Sequence, residues 1–284
     1  EIPEDQDTAG YHFTEANSIK YNSEQLMKRF QNFEELRFEN VHFRYTEDAP
    51  WVLQGVSFIV SKGDRLAIVG STGSGKTTIV RLLTRTYTHY QGSIKINGVE
   101  LSEISRSHLL RMIALMQQES YLFEESIGFN IALNRPEITQ EKIRDAAQYV
   151  YAHEFIEHLP EQYDSKILEG GKNLSEGQGR LVVFARALAG ESDLIVLDEA
   201  TSSVDSVTEN LIQKAIERIF HEKTVIAIAH RLSTIQNSDL ILVMDAGKIV
   251  ERGSHDGLLS QRGVYAGLVE TLYRGTELVP VPAK

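Results

Sequence analysis

The sequence contains no cysteine, no long apolar run and fewer basic than acidic residues. The lack of cysteine excludes a disulfide framework and a thiolate metal site, and it is compatible with a reducing cytosolic compartment. No apolar run approaches the roughly 18 residues that a membrane-spanning helix needs. The first residues, Glu1-Ile2-Pro3-Glu4-Asp5, are acidic and lack the apolar core of a signal peptide. We therefore expect any membrane-spanning part to lie outside this sequence.

The charge balance also limits the partners. There are 40 acidic and 29 basic residues, which gives a formal net charge of −11. Because phosphate backbones bind to basic surfaces, this balance argues against nucleic acid as the main partner. The length of 284 residues and the apolar content of 42% allow one large or two modest domains with a substantial core.

Residues 67–78, AIVGSTGSGKTT, have the pattern of a phosphate-binding loop. The apolar run 66–69 predicts a buried strand before the loop, and residues 77–83 have the composition of a helix after it. Glycines in the loop let successive backbone N–H groups turn inward toward anionic oxygens, and the positive end of the helix adds to this attraction. The sequence therefore predicts that the protein binds a nucleoside triphosphate.

Individual side chains of this loop have predicted roles. Lys76 would place a positive charge at the β- and γ-phosphates, the Thr77 hydroxyl would bind the bridging Mg²⁺, and Thr78 would support the α/β side. The predicted phosphate-contacting residues are Gly70, Ser71, Thr72, Gly73, Ser74, Gly75, Lys76, Thr77 and Thr78.

The segments around this loop predict an α/β fold. Alternation over 36–45, a strand at 56–60 and a hairpin over 92–99, centred on Asn97-Gly98, indicate an antiparallel β unit. After a core strand at 113–116, about seventy residues are mainly helical. There Thr139 is the predicted N-cap of a helix over 140–158, and a second helix runs from about Ser175 to Ala189.

The last third of the chain returns to buried strands. Residues 194–197, 225–229 and 240–244 predict continuous apolar strands, with a helix over 209–220 between the first two. This alternation is typical of a parallel sheet with helices on its faces. The predicted fold is an α/β phosphate-loop NTPase core with a parallel sheet, an N-terminal antiparallel β subdomain and an inserted α-helical subdomain.

Two carboxylates, Asp198 and Glu199, follow the strand at 194–197, and ligands bind at that end of open parallel sheets. Asp198 is placed to hold Mg²⁺, and Glu199 to orient or deprotonate the attacking water. An acidic pair after a strand can also be a solvated turn. The nearby phosphate loop favours the catalytic interpretation.

Three single residues each have two interpretations. His230 can be a capped strand-end histidine or a sensor of the γ-phosphate. Gln118 can be a surface amide or a contact to Mg²⁺ and the attacking water. Tyr45 can be a half-buried strand aromatic or a platform for a nucleotide base. Taken alone, the residues leave these alternatives open.

These motifs occur together in one order, which the following list gives: Tyr45, the phosphate loop, Gln118, Leu174-Ser175-Glu176-Gly177-Gln178, Asp198-Glu199, Ser203-Val204-Asp205 and His230. Over about residues 36–274 the sequence resembles the nucleotide-binding domain of an ATP-binding cassette (ABC) exporter. The signature at 174–178 is the specific element, because other phosphate-loop ATPases lack it.

The resemblance implies residue roles, with ATP and Mg²⁺ as ligands. Tyr45 would stack on adenine, Gln118 would be the glutamine of the loop that joins the core to the helical subdomain, and His230 would be the switch histidine. Ser175 and Gly177 would act on the γ-phosphate bound by a second domain, so that two domains sandwich two ATP molecules. The implied catalytic residues are Lys76, Gln118, Glu199 and His230, the implied Mg²⁺ ligands are Thr77, Gln118 and Asp198, and the further ATP contacts are Gln178 and Asp205.

The resemblance also implies a domain organisation at the cytoplasmic face of a membrane. Residues 1–34 would link to a transmembrane region absent here, 35–274 would form the ATPase domain, and 275–284 a tail. Within the domain, 35–117 and 191–253 would form the core, 118–190 the helical subdomain and 254–274 the C-terminal helices. Glu169 matches the acidic position that faces the transmembrane partner.

The signature departs from the usual pattern. Glu176 replaces its first glycine, Gly170 replaces a usual arginine, and Gly179-Arg180-Leu181 replaces a usual polar run. A glutamate beside a partner's γ-phosphate adds bulk and like charge, which predicts a second, non-identical nucleotide-binding domain as partner. The alternative is that Glu176 points to solvent.

The preferred hypothesis is an exporter ATPase with a transmembrane partner, no nucleic-acid partner and no metal other than Mg²⁺. A second hypothesis is a soluble ABC ATPase acting on nucleic acid or ribosomes, but the expected coiled-coil insert or basic surface is missing. A third is a regulatory module that binds ATP without hydrolysis. The presence of Lys76, Asp198 and Glu199 together argues against it.

Overall fold

Two β-sheets form the framework that carries the phosphate loop. The computed structural model describes residues 32–116, 121–168, 171–190, 192–198, 206–229 and 231–276. The strands are β1 (Glu35–Phe43), β2 (Leu53–Ser61), β3 (Arg65–Gly70), β4 (Gln91–Ile96), β5 (Val99–Glu100), β6 (Ile113–Met116), β7 (Leu194–Asp198), β8 (Thr224–Ile228), β9 (Leu240–Asp245) and β10 (Lys248–Gly253). The helices are α1 (Lys76–Leu83), α2 (Arg106–Met112), α3 (Ile127–Ala132), α4 (Gln140–Tyr149), α5 (His153–Glu157), α6 (Glu176–Ala189), α7 (Ser206–Glu222), α8 (Leu232–Gln236), α9 (His255–Gln261) and α10 (Val264–Thr276).

The sheet topology confirms the predicted fold class. The first sheet is antiparallel, with the order β2-β1-β4-β5, and Asn97 and Gly98 form the predicted tight turn at φ values of 51° and 76°. The second sheet has the order β10-β9-β3-β8-β7-β6, with parallel pairing from β9 to β6. Its edge strand β10, antiparallel to β9, was not predicted, because charged residues interrupt its apolar pattern.

The parallel register brings the predicted ligand-binding residues to one edge. Asp198, the last residue of β7, pairs with Ile228 of β8, and Ile228 pairs with Ile68 of β3. The phosphate loop leaves β3 two residues later, at Gly70. Asp198 and the loop therefore lie at the carboxyl edge of the sheet, separated by one strand.

Alternate residues of β3 pack into two different cores. Leu66 and Ile68 belong to a cluster that includes the antiparallel sheet and α1. Ala67 and Val69 belong to a second cluster, which includes α6 and α7. Because both faces of β3 are covered, its sequence is a continuous apolar run, as expected of a central parallel strand.

The prediction of a single helix over 140–158 was wrong. Thr139 is its N-cap, accepting a hydrogen bond from the Lys142 amide, but the chain forms α4 and α5 separately. Tyr151 adopts a φ of 63°, and its amide bonds the Gln148 carbonyl while the Ala152 amide bonds the Ala147 carbonyl. This is a Schellman ending, in which the left-handed residue stops the helix. The apolar periodicity continues across the break and gave no sign of it.

Two further boundaries differ from the sequence pattern. β1 ends at Phe43, so Tyr45, expected at the end of a strand, lies beyond it. Phe33, in the predicted linker, is fully buried, and its amide donates to Asp193 Oδ2. By contrast, α6 matches its prediction to within one residue. No helix in the ranges given above is both long and apolar enough to cross a membrane.

Candidate nucleotide-binding site

The phosphate loop joins β3 to α1, and two of its positions require glycine. Gly70 and Gly75 have φ values of 149° and 105°, in the region that side chains disfavour. A Cβ on Gly70 would lie 2.2 Å from the Met244 carbonyl oxygen, and one on Gly75 would lie 2.8 Å from Leu53 Cδ2. The loop is therefore wedged against β9 and β2, and its backbone cannot withdraw from a ligand on its open side.

Lys76 is folded back over this loop. Its side chain is buried, and Nζ donates to the carbonyl oxygens of Gly70 and Ser71 at 2.8 and 2.9 Å. Burial lowers the pKa of Lys76, and the negative charge of Asp198 partly opposes that shift. The loop thus holds a buried ammonium whose hydrogen bonds to the described residues end on neutral carbonyls. Such a group strongly favours an anion.

The remaining loop residues differ in what they offer. Ser74 is only 2% exposed, and within the described structure its Oγ has no hydrogen-bond partner, which suits an incoming ligand oxygen. Thr77 is exposed in the first turn of α1, as are Ser71, Thr72 and Gly73 in the loop. This set of buried and exposed groups is compatible with a phosphate ligand. A hydroxyl at Thr77 and a carboxylate at Asp198 are also oxygen donors of the kind that Mg²⁺ prefers.

Tyr45 lies beside the same helix. Its hydroxyl is 3.0 Å from Thr78 Oγ1, and the residue is 38% exposed. The ring contacts Phe43 and Tyr87 edge-on, at centroid distances of 5.1 and 5.3 Å. Tyr45 is thus held next to the phosphate loop by both its hydroxyl and its ring edges. This position is compatible with the predicted base platform.

The signature residues form the N-terminus of α6. Ser175 Oγ accepts from the Gln178 amide at 3.1 Å, and Gln178 Oε1 accepts from the Ser175 amide at 2.9 Å, forming a capping box. Gly177 is buried and Glu176 is exposed. Among the hydrogen bonds of the described residues, none joins this helix end to the chain's own phosphate loop.

Several predicted residues lie outside the described ranges. These are Gln118, Glu169, Gly170, Glu199, Ser203, Val204, Asp205 and His230. Of the four predicted catalytic residues, the structure describes Lys76, and of the predicted Mg²⁺ ligands it describes Thr77 and Asp198. The roles of the others remain predictions from the sequence.

The sequence did not reveal a polar network next to two of these residues. Arg231 forms an ion pair with Glu209 and donates to Gln213 Oε1 at 3.2 Å, and Gln213 Nε2 donates to Ser233 Oγ at 2.9 Å. The network ties α7 to α8, the helices that follow Asp205 and His230 in the chain. Opposite charges 22 positions apart form no local pattern, so only the fold brings them together.

Comparison with known proteins identifies the family. The model of the ABC transporter family matches residues 53–202, just over half of the chain. The chain belongs to the ABC transporter family. It is 44% identical over 242 residues to the ATP-dependent lipid A-core flippase of Chromohalobacter salexigens, an alignment that covers 85% of this chain and 42% of that protein.

Two further ABC proteins support the exporter type. The fatty acid ABC transporter ATP-binding/permease protein of Mycobacterium bovis is 43% identical over 230 residues, covering 81% of this chain and 36% of that protein. The solved structure of a bacterial Atm1-family ABC exporter with ATP bound has a TM-score of 0.77 at 38% identity, over 89% of this chain and 43% of that one. This ABC domain spans about two-fifths of the length of these relatives, and it is of the exporter type.

The buried charge of Lys76 yields a test of the binding site. Because burial depresses the pKa of Lys76, the charged form is disfavoured in the ligand-free fold, and Lys76→Met removes that penalty at neutral pH. We expect the melting temperature without nucleotide to stay unchanged or to rise. The increase produced by saturating MgATP, roughly 5–10 °C for a domain of this size, should disappear.

Differential scanning fluorimetry measures both quantities, with Lys62→Met at an exposed turn as the matched control. The control should keep the full MgATP response. An undiminished response in Lys76→Met would contradict the assignment of this loop as the phosphate site.

Proposed function

We propose that this chain hydrolyses MgATP and that hydrolysis drives export through a membrane-spanning partner region. The observation that carries the proposal is the buried Lys76 ammonium in a glycine-rich loop, at the same edge of the sheet as Asp198. A site built only to bind a neutral ligand would not need a desolvated cation there. The exporter-type relatives support the coupling to transport.

Each described residue has a defined task in this proposal. Lys76 and the N-terminal amides of α1 bind the β- and γ-phosphates, and Ser74 Oγ supplies a further hydroxyl. Thr77 and Asp198, together with Gln118, hold Mg²⁺, which neutralises phosphate charge and orients the γ-phosphate when bound.

The remaining catalytic tasks fall to residues assigned from the sequence. Glu199, the next residue after Asp198, orients or deprotonates the attacking water. His230 contacts the γ-phosphate, and Asp205 is a further ATP contact. The proposed ATPase domain covers residues 35–274, with 1–34 as the link to the membrane region.

An exposed apolar surface supports the membrane partner. Tyr121 and Leu168 are 70% and 58% exposed, and the Tyr121 and Phe123 rings contact each other with centroids 4.9 Å apart. The strand-like segments that carry them are joined, since the Ile167 amide donates to the Glu125 carbonyl. Large apolar groups clustered in this way mark interaction sites. We propose that the membrane-spanning partner binds this surface, which includes the residue before Glu169 in the sequence, with the domain on the cytoplasmic face of the membrane.

The second nucleotide-binding domain would face the signature end of α6. Glu176 is exposed in the first turn of that helix, next to the amides that would approach the second domain's γ-phosphate. Negative charge there stabilises the helix itself but repels a phosphate. We therefore propose a non-identical partner, so that this handicap affects only one of the two ATP sites.

Replacement of Glu199 tests hydrolysis. Glu199→Gln should still bind MgATP but lose about 10²–10⁴-fold in turnover, because the amide cannot accept a proton from water. Lys76→Ala should instead weaken binding itself. Phosphate release and fluorescent-nucleotide titration measure the two properties, and an equal loss of both in each variant would contradict these roles.

Replacement of Tyr45 tests the base platform. Tyr45→Ala should weaken ATP and GTP binding alike by roughly 1–3 kcal/mol, the usual contribution of base stacking, whereas Tyr45→Trp should retain most of the affinity. Tyr45→Phe separates stacking from the hydrogen bond to Thr78, and it should bind nucleotide almost normally. Unchanged affinity in the alanine variant would show that Tyr45 only packs.

Replacement of Glu176 tests the non-identical partner. ATPase activity of this chain alone is measured over a concentration series, before and after Glu176→Gly. Low activity that the glycine raises is the expected result, since removal of the carboxylate lets a second copy approach the γ-phosphate. Glu154→Gly, at another exposed first-turn glutamate, is the control. Strong, concentration-dependent activity of the unmodified chain that the glycine does not improve would exclude the hypothesis.

A further inference from the structure

A buried polar junction joins the exposed aromatic segment, residues 121–130, to the signature helix α6. The segment carries Tyr121 and Phe123 on the surface and runs into α3, which ends the stretch just past Asn130. α6 begins directly after Ser175 and continues without a break to Ala189. Asn130 and Arg186 form the junction between the two.

Asn130 organises the segment from inside. It is fully buried, and its Oδ1 accepts from the Phe123 amide at 2.8 Å. Its Nδ2 donates to the carbonyl oxygens of Phe123 and Ser126, each at 3.0 Å. The side chain thus replaces the backbone partners that an irregular segment lacks, and it fixes the segment against α3.

Arg186 fastens this organised segment to α6. Its guanidinium donates through Nε to the Asn130 carbonyl at 2.6 Å, through Nη2 to Asn130 Oδ1 at 3.0 Å and through Nη1 to the Tyr121 carbonyl at 2.9 Å. It also lies over the Phe123 ring, 5.8 Å from the centroid. A planar fork with several fixed donors can hold two chain segments in one orientation, which a lysine cannot do.

Burial lowers the pKa of Arg186 to about 10, and the nearby charge of Arg135 contributes in the same direction. Arg135 itself donates to the Arg186 carbonyl at 3.1 Å and to the Ala132 carbonyl at 2.9 Å. Two desolvated cations are therefore placed side by side at this junction. Desolvating two like charges at one place costs free energy, so stabilisation of the fold alone does not account for this pair.

The exposed aromatic segment also contacts α6 near its N-terminus, through Leu122. A Cβ on Gly179 would lie 3.1 Å from Leu122 Cδ1, so Leu122 packs on the helix one turn after Ser175. Arg186 holds the segment two turns further on. With contacts at both positions along a continuous helix, a displacement of the exposed segment must move Ser175 with it.

We propose that Arg186 and Asn130 are positioning residues that lock the exposed aromatic segment to α6, and that they thereby set the position of Ser175 for hydrolysis at the second domain's ATP site. The inference rests on the proposed function, because it takes the signature to act in trans. It assigns no contact with the chain's own nucleotide to either residue. Arg186 variants should therefore damage the neighbouring site and spare their own.

Complementation between two inactive or impaired chains tests this trans action. All chains carry Glu176→Gly, which restores the usual signature. The first chain also carries Glu199→Gln, so it cannot hydrolyse its own ATP, but its intact signature can act on the ATP of a partner chain. The second chain adds Arg186→Lys, so it keeps Glu199 but lends a displaced signature.

Each chain alone should hydrolyse ATP at least about tenfold more slowly than the parent chain, which carries Glu176→Gly only. The first chain lacks the Glu199 carboxylate, and in the second the loss of the guanidinium fork frees one turn of bonded backbone. In a 1:1 mixture that pairs at random, activity should recover to about one quarter of the parent value, because half of the dimers join the two chains and each of these has one active site. Adding Arg186→Lys to the Glu199→Gln chain should abolish the recovery. MgATP affinity of every Arg186→Lys chain should stay within about twofold of the parent, which simple misfolding would not permit.

Recovery that is absent in the mixture, or present in the control with two altered signatures, would overturn the inference. Asn130→Asp serves as a second variant, because it keeps the acceptor for Arg186 but loses the donors to Phe123 and Ser126. It should behave as Arg186→Lys does. If the parent chain hydrolyses no ATP at any concentration, the proposed function fails.

Amide hydrogen exchange tests the junction without hydrolysis. Arg186→Lys should accelerate exchange about tenfold in residues 121–131 and in the first turns of α6 together, and leave α1 unchanged. Arg144→Lys, in α4, where the guanidinium lies over the Tyr163 ring, should change neither segment. Acceleration in only one of the two segments, or in none, would refute a rigid connection.

Discussion

The candidate phosphate site depends first on a buried cation, Lys76, whose hydrogen-bond partners are neutral carbonyl groups. Lys76 holds its ammonium against the carbonyls of Gly70 and Ser71, where burial disfavours its charge. That position is possible because Gly70 turns tightly against the β9 backbone, which leaves no room for a side chain. The fold stores unfavourable electrostatics at this point, and an anionic phosphate would relieve them. The loop is thus preorganised for an anionic ligand.

The register of the parallel sheet brings a carboxylate to the same edge as the phosphate loop. Because β3, β8 and β7 run parallel and in register, Asp198 arrives at the edge where the loop departs. The two faces of the same sheet bury different clusters, one shared with the antiparallel sheet and the other with the helical part. Tyr45 comes from the first side and the signature helix from the second. Tyr45 therefore lies beside this chain's own phosphate loop, whereas the signature helix belongs to the other face of the sheet.

The junction at Arg186 is built from different groups than the phosphate loop. Around the loop, backbone groups and a single lysine carry the electrostatics, whereas the junction at Arg186 uses two half-buried guanidinium groups that donate to carbonyl oxygens. The first region is suited to bind an anion. The second is suited to hold two segments in a fixed orientation. Together with the exposed Glu176, these two regions are the basis of the proposal that a second domain takes part in ATP hydrolysis.

The sequence by itself determined the features that arise within a few residues. The phosphate loop, the Asn97-Gly98 turn and the caps at Thr139 and Ser175 follow from backbone conformation and local hydrogen bonds, so their positions could be predicted. Only the tertiary structure decided the helix break at Tyr151, the burial of Phe33 and the bonds between Asn130 and Arg186, 56 positions apart. These depend on which segments meet in space, and residue periodicity carries no information about that.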